Sequence, residues 1–226
     1  IPDATILAGR FGKGFGISGK ANTNGNDGTV TRFGWKAPNK SLLLFSGEAY
    51  NVEKGGTNEL FPQERDETIG CQLNAVPETR PHGEEVSDIT KFAQFMQLLA
   101  PPVTASATAS TLAGKALFTQ IGCAACHTPT MTTAPSTIEY LSNKPVNLYS
   151  DLLVHNMGAQ LADDISQGNA LGDEFRTAPL WGLGQRVFFL HDGRTSDLRE
   201  AIEEHYTPRS KPLRRKGFLS EGAGFY

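Results

Sequence analysis

The chain of 226 residues carries 21 Lys and Arg against 24 Asp and Glu, which gives a formal net charge of −3 at pH 7. A chain of this length forms one large or two small domains and can bury a sizeable core. Basic and aromatic residues are not interleaved in any stripe, which argues against a nucleic-acid-binding surface, and no apolar run approaches the length of a membrane span.

The first 70 residues are rich in glycine and show few helical patterns, which predicts long ordered loops that wrap a more rigid part of the protein. The glycines at positions 12, 14 and 16 lack the preceding strand and following helix of a phosphate-binding loop. The Asn-rich stretch 22–27 lacks the glutamate that closes a calcium-binding loop. A plain Asn/Gly turn is the simpler interpretation of that stretch.

The segment Ser87–Ala100 predicts a buried amphipathic helix that Pro101 and Pro102 end. Its apolar face consists of Ile89, Phe92, Met96 and Leu99. The Ala, Ser and Thr residues that follow mark the best candidate for a domain boundary. We therefore expect an N-terminal part over residues 1–102 and a C-terminal domain over residues 103–226.

A second helix, predicted over Thr111–Ile121, leads into the sequence Cys123-Ala-Ala-Cys126-His127. Two thiols and an imidazole at this spacing are what covalent haem attachment requires, because the cysteines can add to the two vinyl groups of one porphyrin. The histidine then supplies a nitrogen to the iron. Haem c is therefore the favoured cofactor.

Two other sites for the same motif stay open as alternatives. A zinc site usually draws on a second Cys/His pair at short spacing, and only Cys71 remains elsewhere in the chain. A redox dithiol would follow a strand and begin a helix, whereas here a helix precedes the motif. Cys71 itself would be a buried thiol or a disulfide partner for another protein. Because bacteria attach haem through thioethers outside the cytoplasm, the motif predicts a periplasmic or extracellular protein.

Near the end, Ser196 can cap a helix over Asp197–Tyr206, which Pro208 closes. The apolar stripe of this helix contains Leu198, Ala201, Ile202 and also His205. A single histidine on such a face is often only a satisfied core residue. Beside a haem, however, the iron needs either a sixth ligand or an open position, and His205 becomes a candidate ligand.

Seven segments of the chain, in this order, resemble the bacterial di-haem thiol oxidoreductases, which are distant relatives of the di-haem cytochrome c peroxidases. The resemblance spans residues 1 to about 205, and its last two segments are the most specific. The segments are Arg32–Ala37, Leu60–Arg65, Leu98–Pro102, Gly122–Pro129, Ser150–Gly158, Phe175–Gly184 and Phe189–Arg194. The family implies cytochrome c-like helical domains, so we expect a mainly α fold with long ordered loops.

The resemblance implies roles for the motif residues. Cys123 and Cys126 correspond to the thioether anchors, and His127 to the proximal ligand, of the family's second, C-terminal haem. The distal ligand of that haem lies on the helix after the His-Asp-Gly motif, at a place that His205 occupies here. An iron held by two histidines is six-coordinate, closed to substrates and suited to electron transfer.

Two rival distal ligands are His155 and Met157, which lie in an apolar run that we expect to be helical, where Met usually fills core space. His191 or an open coordination position is a further alternative. The resemblance also implies that Trp35 relays electrons between the haems, with a core aromatic residue as the alternative, and that the carbonyls of Thr177 and Pro179 hold a calcium ion. Trp181, His191, Asp192 and Arg194 are candidates for contacts with the porphyrin edge or the propionates. Glu48, by its nearness to Trp35, is a candidate acid/base group near a first haem, with a surface glutamate as the alternative.

The sequence departs from the family in two places. It does not contain the family's N-terminal CxxCH, so we expect the substrate-accessible haem to be supplied by a second haem domain or a redox partner protein. The basic segment Arg209–Lys216 has no counterpart; it is a solvated tail or a docking site for an acidic partner or a neighbouring subunit of a homo-oligomer. The expected function is that of an exported c-type cytochrome, an oxidoreductase if a second haem is present. The alternative is a pure electron carrier with one low-spin haem.

Overall fold

The computed structural model of the chain describes residues 1–9, 16–65, 68, 70 and 77–205. These contain five α-helices and four short β-strands, joined by long irregular segments and single 3-10 turns. The helices are α1 (Asp3–Ala8), α2 (Leu42–Lys54), α3 (Asp88–Leu98), α4 (Ala109–Gln120) and α5 (Leu198–Glu203). The strands are β1 (Met131–Thr132), β2 (Pro145–Val146), β3 (Val154–Asn156) and β4 (Glu174–Arg176).

The prediction of a mainly α fold is wrong, because the described part of the chain is a mixture of helices, irregular segments and two small antiparallel sheets. One sheet pairs β1 with β2, and the other pairs β3 with β4. The largest error concerns the run that contains His155 and Met157. This run forms strand β3, which includes His155 and ends just before Met157, and not a helix. A short apolar run looks alike in a buried strand and a buried helix, so its period does not distinguish them.

The N-terminal region packs directly against strand β3. Lys20 exchanges both backbone hydrogen bonds with Val154, at 2.9 and 2.8 Å. The main apolar cluster joins this region to the C-terminal half, since it consists of Ile6, Val30, Met131, Leu152 and Leu153. This arrangement agrees with the expectation that the glycine-rich region wraps a more rigid part. Residues 103–108 are exposed and have no regular structure; the division at residues 102 and 103 stays a prediction.

Two polar side chains fix the loops around the β3–β4 sheet. Lys36 is buried and places its Nζ 2.9 Å from Asp163 and 3.8 Å from the centre of the Phe175 ring. Its ammonium also donates to the backbone carbonyls of Leu171, Gly172 and Glu174. The buried amide of Asn22 donates to the carbonyls of Lys36 and Gln167. The Asn/Gly turn expected after it is confirmed, with Gly28 N donating to Asn24 O at 2.9 Å.

Helices α2 and α3 pack against each other, with the rings of Tyr50 and Phe92 5.5 Å apart. Helix α2 is absent from the sequence predictions, although Ser41 caps it and Gly55 ends it at a φ of 73°. Helix α3 is confirmed, but its predicted burial is wrong: of its residues only Ile89 is buried, and Phe92 is 46 % exposed.

The helix that leads into the cysteine motif is confirmed as α4, which starts with a capping box between Thr108 and Thr111. Helix α5 is shorter than predicted. Asp197, and not Ser196, caps it, since its carboxylate accepts a hydrogen bond from Arg199 N at 2.8 Å. Within the described residues, none of the helices combines the length and apolar character needed to cross a bilayer.

Candidate cofactor site

The two cysteines and the adjacent histidine lie on one tight turn that follows α4. Gly122 adopts a φ of 99°, a conformation that favours glycine, and turns the chain into a 3-10 helix over Cys123–Ala125. His127 N then donates to Cys123 O at 2.9 Å. Both cysteines are free and half-buried, and burial raises the pKa of the Cys123 thiol. The turn therefore presents two sulfurs and one imidazole from neighbouring positions.

The ring of His127 is held by a backbone hydrogen bond. Its Nδ1 lies 2.8 Å from Tyr149 O, and because a carbonyl oxygen only accepts, Nδ1 carries the hydrogen. Burial lowers the pKa of His127 to about 4, against the opposing effect of the Tyr149 hydrogen bond. The ring is therefore neutral at pH 7 with the lone pair on Nε2, which is the form that binds a metal. The ring of Phe118 packs edge-on against it, with centroids 6.3 Å apart.

His205 has the same hydrogen-bond pattern at the end of α5. Its Nδ1 donates to Ala201 O at 2.8 Å, and burial lowers the pKa of the ring. Nε2 is therefore the nitrogen that a metal would use. The rings of His127 and His205 lie with their centroids 6.3 Å apart and their planes at 49°.

This spacing fits a metal between the two rings. Bonds from a metal to imidazole nitrogen are about 2 Å long, so a metal between two facing imidazoles separates the ring centres by roughly 6 Å. The neutral state of both rings and the two nearby thiols complete the donor set that a covalently attached haem requires. The residues present therefore fit this cofactor.

The rival ligand His155 lies in a different arrangement, on strand β3. Its Nε2 donates to Asp151 Oδ2 at 2.8 Å, and its Nδ1 lies 3.7 Å from Cys126 Sγ. Burial alone would lower the pKa of His155, but the hydrogen bonds with Asp151 and Cys126 outweigh it and raise the pKa to about 9. Both ring nitrogens thus already have partners. Met157 follows the strand, half-buried, with its backbone N bonded to Asp173 O at 2.8 Å.

The residues expected at the porphyrin edge have separate contacts with other parts of the chain. His191 stacks on Phe175 with centroids 4.0 Å apart and lies edge-on to Trp35 at 6.4 Å. Trp35 is 41 % exposed. Arg194 pairs with Asp192 at 2.6 Å and also donates to Gln160 O. Trp181 donates from its indole to Asn147 O.

Glu48 lies on α2 and accepts a hydrogen bond from Asn39. Within the part of the chain that the structure describes, no hydrogen bond or ion pair joins Glu48 to Trp35, and its acid/base role stays a prediction. The basic tail after residue 205 and Cys71 lie outside the described residues.

The carbonyl of Thr177 already has two donors. Ser150 Oγ donates to it at 2.6 Å, and the guanidinium of Arg176 donates at 3.2 Å. A carbonyl beside a cationic donor is a poor ligand for Ca²⁺, so these contacts disfavour the predicted calcium site. Pro179 is half-buried two residues later.

Sequence reasoning missed the three residues that support the site. Tyr149 acts through its backbone carbonyl, which no side-chain pattern reveals. Phe118 belongs to the helix before the motif, and its spacing from His127 is the sequence signal that could have indicated their contact. Asp151 lies four residues before His155, and this Asp-x-x-x-His spacing was the one signal that a hydrogen-bonded pair exists there.

Comparison with known proteins gives one finding. A family model described as "Di-haem oxidoreductase, putative peroxidase" matches residues 3–211. No curated protein and no solved structure matches the chain.

Proposed function

Because the chain belongs to the di-haem oxidoreductase family, we propose that it is an exported c-type cytochrome unit, with one haem held by Cys123, Cys126, His127 and His205. The haem supplies one-electron redox chemistry when bound. Cys123 and Cys126 would anchor it. His127 and His205 would each offer one nitrogen to its iron and so exclude other ligands. In the parent reaction, a peroxidase-like or thiol-directed oxidation, this unit transfers electrons and a second haem domain or partner protein carries out the chemistry.

The observation that carries the proposal is the closeness of His127 and His205, two neutral imidazoles with ring centroids 6.3 Å apart. A haem bound here would take one nitrogen from each ring, which would leave no place for peroxide at its iron and would favour electron transfer over substrate binding. The Nδ1 hydrogen bonds to Tyr149 O and Ala201 O support this by fixing the orientation of each ring.

Trp35 is the proposed outlet for electrons. Its exposed ring lies edge-on to His191, which in turn stacks on Phe175 of strand β4. Its backbone carbonyl accepts a hydrogen bond of 2.7 Å from Arg176 N, which fixes its position relative to the sheet. A rigid, partly exposed aromatic residue suits contact with a redox partner.

The second candidate is a pure electron carrier, with one low-spin haem and no enzymatic partner domain. The closeness of His127 and His205 supports it as well, since an iron held by both imidazoles would have no position open to peroxide. Both candidates require the same axial ligands and export to a compartment where haem is attached. They differ in whether a peroxide-reactive haem works with this chain. A calcium ion at Thr177 and Pro179 is not needed by either.

The test is an absorption spectrum of the protein expressed with the haem-attachment machinery, with the haem counted as its pyridine haemochrome. The proposal predicts one covalent, low-spin haem per chain and no spectral change with hydrogen peroxide. A high-spin band or a peroxide response from this chain alone would contradict the electron-transfer role. Bound zinc with no haem would contradict both candidates.

A further inference from the structure

We propose that His155, oriented by Asp151, is a positioning residue for the sulfur of Cys126 and directs this cysteine to its haem vinyl group during attachment. The inference rests on the proposed haem c site. It concerns a pair of buried polar residues that the axial ligation does not use. Its basis is the series of contacts from Asp151 through His155 to Cys126.

Asp151 is itself rigidly placed. It is 1 % exposed and lies three residues before the start of strand β3. Its Oδ1 accepts a hydrogen bond from Leu153 N at 3.0 Å, and its Oδ2 accepts one from His155 Nε2 at 2.8 Å. A carboxylate with both oxygens engaged in this way fixes the direction of its partner imidazole.

Gly19 confines the imidazole at its Cε1 and Nε2 atoms. A Cβ at that position would lie 2.7 Å from His155 Cε1 and 2.9 Å from His155 Nε2, so the backbone lies directly on the ring. The double backbone hydrogen bond between Lys20 and Val154 holds this segment against β3. Asp151 and Gly19 together leave one orientation for the ring, and in it Nδ1 lies 3.7 Å from Cys126 Sγ.

The two cysteines of the motif therefore differ in their surroundings. Cys126 has an oriented imidazole beside its sulfur. Within the described ranges, the sulfur of Cys123 has no hydrogen bond to another residue's side chain. A positioned sulfur reacts faster than one that samples several rotamers, because part of the orientational entropy is removed in advance.

Addition of the thiol to the vinyl group needs neither an oxidant nor a reductant. The sulfur of Cys126 forms a bond to one carbon of a haem vinyl group, the π bond of that group breaks, and the thiol hydrogen passes to the other vinyl carbon. His155 contributes orientation, not electrons. The same three residues have ligand atoms within 4.8 Å of one another, so a metal ion held by Cys126, Asp151 and His155 is the competing outcome.

The experiment compares holoprotein from the wild type with His155→Gln, Asp151→Asn and Gly19→Ala. His82→Gln, at an exposed histidine, is the matched control. Each protein is unfolded, its free thiols are alkylated, and peptide mass spectrometry measures the alkylated fraction at each cysteine. The pyridine haemochrome spectrum reports independently whether no vinyl group remains, as with two thioethers, or one remains, as with a single thioether. Cys126→Ala supplies the reference spectrum for attachment through one thioether.

The inference predicts that both cysteines are thioether-bonded in the wild type and in His82→Gln. In His155→Gln, Asp151→Asn and Gly19→Ala, the alkylated fraction at Cys126 should rise at least several-fold while that at Cys123 stays low. Adding His155→Gln to Cys126→Ala should change nothing further. Gly19→Ala keeps both members of the pair, and its added Cβ would meet the His155 ring and also Leu153 Cβ.

Complete attachment at Cys126 in His155→Gln and Gly19→Ala would overturn the inference while leaving the proposed function intact. An equal loss of attachment at both cysteines would also overturn it, since that result indicates a general folding defect. A wild-type protein that binds zinc at these residues and no haem would contradict the proposed function as well.

Discussion

His127 and His205, from opposite ends of the C-terminal half, lie with their ring centroids 6.3 Å apart and their planes at 49°. Each donates from Nδ1 to a backbone carbonyl, and each has a lowered pKa because its ring is buried. The neutral state with the hydrogen on Nδ1, and this spacing, suit metal ligation through Nε2 of each ring.

The first prediction concerns the distal ligand. His205→Ala should convert the haem from low-spin to high-spin and allow the reduced protein to bind carbon monoxide, because it removes one of two axial nitrogens. The absorption spectrum before and after carbon monoxide measures this. His82→Ala, at an exposed site, should leave the spectrum unchanged. A His205→Ala protein that stays low-spin and does not bind carbon monoxide would show that the ligand lies elsewhere.

The second prediction concerns the buried ammonium of Lys36. Lys36→Met should lower the free energy of unfolding by about 3 kcal/mol, because it removes the buried ammonium that pairs with Asp163 and also donates to three carbonyls. Lys40→Met is the matched control, since its pair with Asp27 is exposed, and it should lower the stability much less than Lys36→Met does. Urea denaturation measures both. Equal losses in the two variants would contradict this role of Lys36.

The third prediction concerns Asn22, which links the N-terminal region to the loop before β4. Its side chain donates to two carbonyls and accepts from Asn169 N. Asn22→Ala should cost about 2 kcal/mol, because it leaves buried backbone groups without partners. Asn26→Ala, on the exposed turn, should change stability by less than about 0.5 kcal/mol. Equal free energies of unfolding for the two variants in chemical denaturation would contradict this linking role of Asn22.

The fourth prediction concerns calcium. Because Thr177 O already accepts hydrogen bonds from Ser150 and Arg176, the midpoint of thermal unfolding should be the same in excess EDTA and in millimolar calcium. Circular dichroism during heating measures it. A clear rise of the midpoint with calcium would restore the calcium site implied by the resemblance.

The sequence was most informative where chemistry depends on local spacing. The motif Cys123–His127 and the helix that leads into it were predicted from neighbouring residues. His205 became a candidate ligand because the predicted helix places it on an apolar stripe, although α5 ends at Glu203. Such patterns repeat within a few residues, so they can be read without knowing the fold.

The sequence failed where long-range contacts decide the structure. Val154 pairs with Lys20 on one side and with Arg176 on the other, and these distant partners make the run a strand. The same contacts bring Asp151 and His155 against Cys126. The exposure of Phe92 also depends on which part of the protein packs against α3. The periodicity of the helix does not specify that partner.

The central claim is that the iron of one haem lies between His127 and His205. Near-infrared magnetic circular dichroism of the oxidised holoprotein tests it most directly, because the position of the charge-transfer band identifies the pair of axial ligands. The account predicts the band of two imidazoles, replaced by that of imidazole and water in His205→Ala. A band for imidazole and methionine in the wild type, or no change in the variant, would contradict it.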